Sequence, residues 1–417
     1  MNYKINIMKT LKLFFALILL VASTNIAQEK SFVVKVKNPL AKERPDAVVS
    51  ISSKEIINAH TDFNLDLFSV FDGETELAFQ IEKNKTKGAQ ILVLLNMKPN
   101  ETKELKFTLG KKPSAFAERT YAEIAMKKNL QYDGKKFRGT KFTNVNKVKV
   151  PAVHTDHDAL FKYEGPGWES EKVGYRFYLD WRNATDIFGK KVNSLVLNTV
   201  GVTDTLGNND DSYHTMQDWG MDIFKVGTSL GIGALGMFTD SKVNMISKTD
   251  SILCQVSKNG PVKSEIRTNY FGWLVGYKKY NVESRFSITA GSRLTKHAVT
   301  IDGEPENLVT GLAKYAGTNL TKLDPKKGWG YLALYGKQAL SGDKLGIAIL
   351  FKKKDLIELT EDAVSQIVKL KPNKGKLEYY FCAAWEQESG GIKTQEEFDN
   401  YLALVVEELN NPLTIEY

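Results

Sequence analysis

The residues best suited to chemistry lie in one aromatic and charged segment, residues 163–190. Within it, residues 175–182 are predicted to form a β-strand, whose successive side chains point to opposite faces. The apolar face would consist of Tyr175, Phe177, Leu179 and Trp181. The polar face would consist of Arg176, Tyr178, Asp180 and Arg182. This polar row is typical of a cleft that holds an anionic, hydroxyl-rich ligand, although a buried arginine–aspartate network that ties strands together has the same composition.

A uronic acid is a ligand for which this row has a clear use. Removal of the C5 proton beside the carboxylate creates an enolate-like dianion, which cationic or hydrogen-bonding groups must stabilise. Arg176 or Arg182 would bind the carboxylate in a bidentate fashion that lysine cannot reproduce. Tyr178 is predicted to act beside them, because a deprotonated tyrosine or a histidine can take the proton. A tyrosine or histidine can then return a proton to the oxygen that leaves C4.

His214 is the preferred residue for proton transfer among the five histidines, since imidazole titrates near neutral pH. If a short helix began just before it, His214, Asp218 and Asp222 would share one stripe at a spacing of four residues. Tyr213 would add a hydroxyl that can donate a proton, and Trp219 a surface for stacking on a sugar. The alternative interpretation is a helical turn at the surface with a His–Asp pair.

Two further histidines, His154 and His157, lie between aspartates in residues 153–158. A polar loop, a sugar contact and a divalent metal site all fit this pattern. Two imidazoles fall short of the three protein ligands that a catalytic zinc takes, so no metal is predicted. No other cofactor is predicted either. The side chains predicted to bind substrate are Trp168, Asp180, Trp219, His154, His157 and Asp218.

The first residues predict export. Residues 1–27 have the form of a signal peptide, with three lysines ahead of an apolar run, residues 13–22, that is too short to span a bilayer. The expected location is the periplasm, which argues against nicotinamide and ATP chemistry because those cofactors are kept in the cytoplasm. Loss of those three lysines lowers the formal charge from +8 to +5, and the remaining lysines are dispersed. An acidic oligosaccharide is therefore the expected partner, with no nucleic acid and no membrane span.

The rest of the chain predicts a mainly β fold, a large antiparallel β-sandwich with a few short helices and a C-terminal helix. Residues 28–113 would form an N-terminal β-rich region and residues 114–417 the catalytic domain. The pair Thr394 and Glu397 predicts the start of the last helix, and a second short helix is expected near residues 355–368. The glycine motif of residues 231–236 resembles a dinucleotide fingerprint, but it lies in an apolar strand-like run, which favours close sheet packing. Oligomeric state and pairing of Cys254 with Cys382 stay open.

Residues 163–170, 175–183 and 186–190, with YH at 213–214, DWGMD at 218–222 and KVG at 225–227, resemble a family of exported bacterial proteins. The family is catalogued as a domain of unknown function, and its genes occur among those for polysaccharide breakdown. The resemblance implies a β-supersandwich of the mutarotase-like kind. It also implies the activity of the family's ulvan oligosaccharide dehydratase branch, which removes water from a saturated terminal uronic acid to give a 4,5-unsaturated uronate. The alternatives are a polysaccharide lyase that acts by β-elimination and a non-catalytic sugar-binding protein.

Overall fold

The computed structural model describes residues 30–84, 88–202 and 211–417. The predicted signal peptide lies outside the described residues. The N-terminal elements are β1 (Ser31–Lys37), β2 (Arg44–Ser52), α1 (Ser53–Ala59), β3 (Phe68–Asp72), β4 (Thr75–Glu76), β5 (Phe79–Asn84), β6 (Gly88–Met97) and β7 (Thr102–Leu109). The next elements are β8 (Thr120–Glu123), β9 (Ala125–Lys127), β10 (Gln131–Tyr132), β11 (Phe137–Arg138), β12 (Phe142–Asn144), β13 (Lys147–Lys149), β14 (Gly167–Ser170), β15 (Val173–Phe177), β16 (Thr185–Lys190), β17 (Gly220–Asp222), β18 (Gly236–Thr239) and β19 (Lys242–Met245).

The remaining elements are β20 (Ser251–Lys258), β21 (Lys263–Val275), β22 (Lys278–Thr289), β23 (Leu294–Ile301), β24 (Leu308–Ala313), β25 (Thr318–Leu323), β26 (Trp329–Lys337), β27 (Lys344–Lys352), β28 (Leu356–Glu361), β29 (Ser365–Leu370), β30 (Lys376–Trp385), α2 (Gln395–Asn410) and β31 (Thr414–Glu416). Single turns of 3₁₀ helix occur at Leu197–Thr199, Ser212–His214 and Lys353–Asp355. The predicted mainly β class with a C-terminal helix is confirmed. The helix expected near residues 355–368 is wrong, because that segment forms the β28–β29 hairpin.

A nine-stranded antiparallel sheet, β13-β20-β21-β22-β23-β30-β27-β26-β25, is the centre of the fold. Helix α2 packs on one face of it, where Phe398 fills the space left by the missing side chain of Gly346. Two five-stranded sheets, β17-β16-β15-β14-β8 and β19-β18-β24-β29-β28, share a single apolar core with the large sheet. The architecture is therefore a broad sandwich with one helix on its outer side.

The glycine motif of residues 231–236 lies at the seam between the two five-stranded sheets. Gly231 bridges Thr185 of β16, and Ile232 bridges Leu312 of β24. A Cβ on Gly231 would lie 2.2 Å from the carbonyl oxygen of Thr185, and one on Gly233 would lie 2.2 Å from the Phe381 ring. The motif therefore allows close packing, as its sequence context predicts.

The N-terminal region has its own apolar core between the sheets β31-β1-β7-β3-β4 and β2-β6-β5. Strand β31 comes from the other end of the chain and pairs with β1, with Lys35 opposite Glu416. The division of the chain at residue 113 stays a prediction. Cys254 and Cys382 are both buried and free.

The strand predicted for residues 175–182 is half right. Strand β15 ends at Phe177, and a turn follows in which Tyr178 N–H donates to Ala184 O at 2.9 Å and Asn183 N–H to Asp180 O at 3.1 Å. The Asp180 carboxylate accepts from the backbone N–H of Arg182 at 2.9 Å, an aspartate turn that competes with the strand. The polar and apolar rows therefore do not continue beyond Phe177.

Neither of the two helices in the described ranges has the length and apolar character that a membrane span requires.

Trp168 and Trp181 provide a matched test of this fold. Trp168 is 0% exposed and stacks on Phe286 at 4.9 Å, whereas Trp181 is 48% exposed in the turn after β15. We expect Trp168→Ala to lower the free energy of unfolding in urea by about 3–5 kcal/mol, because it leaves a cavity. Trp181→Ala should lower it by less than about 1.5 kcal/mol. Equal losses in the two variants would contradict this assignment of Trp168 to the core.

Candidate active site

The sheet β17-β16-β15-β14-β8 has one apolar and one charged face, which its register explains. Trp168, Tyr175 and Ile187 are direct neighbours across three strands and face the nine-stranded sheet. Arg176 lies directly opposite Asp186 on the other face. The predicted alternation of side chains is therefore confirmed up to Phe177, and it separates the core from a charged layer.

A buried arginine, Arg176, organises this layer. Its Nε and Nη2 donate to Oδ2 of Asp186 at 3.1 and 2.7 Å, and Nη2 also donates to Oδ2 of Asp222 at 2.5 Å. The hydroxyl of Tyr178 accepts from Nη2 at 3.1 Å and donates to Asp186. The remaining nitrogen, Nη1, is buried without a hydrogen-bond partner in the described part of the chain, 3.7 Å from Oε2 of Glu164. The cation thus joins β15, β16 and β17.

The two aspartates share one guanidinium nitrogen, and the pKa of Asp186 is shifted. Burial, together with the nearby charge of Asp222, raises the pKa of Asp186 to about 7 although Arg176 opposes the shift. Burial also raises the pKa of Tyr178 well above its ordinary value. Tyr178 therefore keeps its proton, so the predicted role of a deprotonated tyrosine is unsuited to it.

A second arginine, Arg182, lies over the Tyr178 ring with its guanidinium carbon 3.9 Å from the ring centroid. Its Nε donates to Asp180 at 2.9 Å and its Nη2 to Glu164 at 2.8 Å, while Nη1 makes no hydrogen bond to any described residue. Both arginines are thus already paired with carboxylates of the protein. The sequence predicted that one of them would bind a substrate carboxylate with two donors, but neither has two donors free.

Glu164 connects the two arginines, and its backbone is unusual. Its φ of 71° lies in the left-handed region, which residues other than glycine adopt mainly in turns and at functional sites. Burial raises its pKa, but the charges of Arg176 and Arg182 outweigh burial and the net pKa is lowered. Glu164 therefore stays ionised between the two cations.

His214 lies at the open edge of the cluster with 48% of its side chain exposed. Its Nδ1 is 3.3 Å from Oδ2 of Asp222, the same oxygen that Arg176 holds. The Tyr213 ring lies 4.3 Å from the imidazole and is buried against Phe188. Burial raises the pKa of Tyr213 to about 12. These contacts leave Nε2 of the imidazole directed away from the protein carboxylate.

The helix that would have placed His214, Asp218 and Asp222 on one stripe does not extend beyond His214. A single 3₁₀ turn ends at His214, and Asp222 reaches the imidazole from strand β17 instead. Asp218 is exposed and makes no ion pair with a described residue. Trp219 is half-buried and packs edge-on against Phe188 at 6.1 Å.

The other predicted substrate contacts are dispersed. Trp168 lies in the core, out of reach of a ligand. His154 has 2% of its side chain exposed and bonds through Nδ1 to Asp158 at 2.8 Å. His157 is exposed, and its Nδ1 lies 3.3 Å from Glu164, which joins it to the edge of the cluster. Over the described ranges, no three histidine, cysteine or acidic side chains are grouped to hold a metal ion.

Three members of the cluster, Glu164, Asp186 and Asp222, are absent from the predicted site list. The sequence analysis missed them because it did not predict the turn at residues 178–183. Once that turn is placed, β15 and β16 form a hairpin and Arg176 must face Asp186. Phe188 lies two residues after Asp186 on β16 and therefore faces the same side of the sheet. It pairs with Asp222 of β17, which places the second aspartate on that side too.

Comparison with known proteins matches this chain to one protein family. The model of a domain of unknown function, DUF4861, matches residues 36–415. "Uncharacterized protein P7" of Formosa agariphila is 23% identical over 405 residues, which is 92% of this chain and 92% of that protein.

Two solved structures from Enterococcus faecalis are similar in shape. One is a protein in the glycosyl hydrolase family 38, 9% identical, with a TM-score of 0.43 over 93% of this chain and 47% of its own. The other is an alpha-mannosidase from strain V583, also 9% identical, with a TM-score of 0.45 over 93% of this chain and 46% of its own. This chain spans about half the length of each.

The raised pKa of Asp186 gives a pH-dependent prediction. A carboxyl that titrates near 7 when folded and near about 4 when unfolded binds more protons in the folded state, so its stabilising contribution is lost as pH rises through that window. We expect the unfolding free energy of Asp186→Asn, relative to wild type, to rise between about pH 4 and pH 7 in urea titrations. Asp240→Asn, in the exposed turn after β18, is the matched control. A constant offset between Asp186→Asn and wild type would contradict the shift.

Proposed function

The chain belongs to the DUF4861 family, and we propose that this member is a carbohydrate-active enzyme that eliminates water from an oligosaccharide. The proposed substrate is an ulvan-type oligosaccharide with a saturated uronic acid at its non-reducing end. The proposed product is the corresponding 4,5-unsaturated uronate. The proposed residue that removes the proton is His214.

The observation that carries this proposal is the relay from Arg176 through Asp222 to His214. A buried carboxylate beside Nδ1 fixes the orientation of the ring and stabilises the imidazolium that forms when Nε2 accepts a proton. Arg176 holds that carboxylate in place at 2.5 Å. Because Arg176 is buried and paired, it is proposed as a positioning residue and not as a contact to the substrate.

The reaction follows from the acidity of C5. The C5–H bond breaks as Nε2 of His214 takes the proton, the electron pair forms the C4=C5 double bond, and the C4–O bond breaks. The departing hydroxyl gains a proton and leaves as water. Tyr213 is the proposed donor, because its raised pKa keeps the phenol protonated and its ring packs on the imidazole.

The uronate carboxylate needs a cation, and Arg182 is the proposed partner. Its Nη1 makes no bond to a described residue, while its other nitrogens are held by Asp180 and Glu164. A guanidinium that is fixed in this way loses little side-chain entropy on binding a second anion. One charge-assisted hydrogen bond from Nη1 would then stabilise the developing dianion.

Product analysis tests the reaction class. We expect the protein to convert a uronate-terminated ulvan oligosaccharide to a product with the ultraviolet absorbance of a 4,5-unsaturated uronate. Mass spectrometry should show the loss of one water at unchanged chain length. Chain cleavage with the same absorbance would identify a lyase, and tight binding without any product would identify a sugar-binding protein.

Three variants test the assigned roles. We expect His214→Ala to lower kcat by about 10²–10⁴-fold, because it removes the general base. Tyr213→Phe keeps the ring and should lower kcat with little change in KM. Asp222→Asn should lower kcat, because a neutral amide does not stabilise the imidazolium as a carboxylate does.

The matched control for His214→Ala is His60→Ala, which removes a histidine that stacks on Phe32 in the N-terminal region. It should keep wild-type turnover. Native kcat in the folded His214→Ala protein would overturn the assignment of the base.

A further inference from the structure

An open groove runs beside Trp181, outside the Arg176 cluster. It consists of one cleft of about 710 Å³ and an adjoining cleft of about 380 Å³. Both clefts are lined by Trp181, Ser247, Lys248 and Leu274. Because they meet along these side chains, we treat them as one surface and name it the Trp181 groove.

Four chain segments form most of the groove. They are residues 149–155, the turn at residues 178–183, β19 with the loop that follows it, and the end of β21. The loop is fixed to β21, because Leu274 N–H donates to Lys248 O at 2.9 Å and Asp250 N–H donates to Phe271 O at 2.8 Å. The groove is therefore preformed.

The apolar part of the groove is a flat and accessible aromatic surface. Trp181 is 48% exposed and Leu274 is 38% exposed. An indole that stays half in water in a folded protein presents a large rigid face to a ligand at little entropic cost. The C–H face of a pyranose ring is apolar and matches such a surface.

The charges of the groove that are not neutralised by ion pairs are positive. Asp180 is held by Arg182, and Asp250 is held by Lys279 at 2.6 Å. The lysines that remain are Lys149, Lys242 and Lys248. None of these three lies within ion-pair distance of a carboxylate in the described ranges. Three exposed ammonium groups around an aromatic platform favour a ligand with repeated negative charges.

His154 adds a polar side chain to the lining of the larger cleft. Its Nδ1 is fixed by Asp158, and its Nε2 is buried without a hydrogen-bond partner among the described residues. A buried polar atom of this kind usually finds a partner, which a ligand hydroxyl or a bound water would supply. Its oriented ring is consistent with recognition of a polar ligand.

We propose that the Trp181 groove binds the sugars that follow the terminal uronate in an anionic oligosaccharide. Trp181 stacks on a pyranose ring, and Lys149, Lys242 and Lys248 pair with carboxylates or sulfate esters. This proposal rests on the proposed function only for the orientation of the oligosaccharide, with its terminal uronate at the Arg176 cluster. Arg182 connects the two places, because it lines the groove and bonds to Glu164 of the cluster. Longer substrates should therefore bind more tightly than shorter ones.

Direct binding tests the groove separately from catalysis. Titration calorimetry would use the His214→Ala protein, which leaves the groove intact, with an ulvan disaccharide and an ulvan octasaccharide. We expect the octasaccharide to bind at least about tenfold more tightly, and Trp181→Ala to remove most of that difference. Lys248→Ala should weaken binding and flatten its dependence on salt, because one screened ion pair is lost.

The control for the lysine variant is Lys37→Ala, which removes an exposed lysine from β1 in the N-terminal region. Desulfated and carboxyl-reduced octasaccharides then distinguish which anionic group the lysines read. Equal affinity of the two chain lengths, or unchanged affinity in Trp181→Ala, would overturn the proposal. Binding of single-stranded DNA as tightly as the octasaccharide would also overturn it.

The two proposals fail in different ways. Preferential binding of the octasaccharide without any elimination by wild type would support the groove and reject the dehydratase. Elimination that is indifferent to chain length and to Trp181 would support the dehydratase and reject the groove.

Discussion

The interaction on which the site depends is the burial of one guanidinium, that of Arg176, between two carboxylates. A buried charge is costly unless it is paired, and removal of one partner typically costs about 3–5 kcal/mol. Asp186 and Asp222 supply the pairing from two neighbouring strands, so the register of β15, β16 and β17 fixes the position of His214. Burial, together with the nearby charge of Asp222, raises the pKa of Asp186, and Glu164 links the second arginine, Arg182, to the cluster.

The same face of the sheet carries further buried ion pairs. Lys190 bonds to Glu169 at 2.7 Å, and Lys162 to Glu123 at 2.5 Å. Ion pairs at such depth add little net stability compared with apolar residues, but they tolerate few alternative arrangements. The layer therefore defines how the covering segments, which include Tyr213 and His214, lie on the sheet.

Much of the architecture could be predicted from sequence because it depends on local patterns. The period of two identified most of the strands, and the capping box at Thr394 located α2. The predicted strand failed after Phe177, since the side chain of Asp180 closes a turn that periodicity does not record. Composition could not assign the two tryptophans, because the packing of distant strands buries Trp168 whereas the turn closed by Asp180 leaves Trp181 exposed. The sequence pattern suggested that His214, Asp218 and Asp222 share one helical stripe, whereas the structure brings only Asp222 to His214, from strand β17.

The pairing of β31 with β1 has a consequence for the order in which the molecule forms. The chain is synthesised from its N-terminus, and early regions generally fold first. Here one edge of the N-terminal sheet receives a strand from residues 414–416, after every other described strand has been made. Until then β1 presents an open edge, a template for intermolecular pairing. A chaperone that shields this edge would act on a nascent chain. A tag fused directly after β31 would interfere with the pairing of β31 with β1.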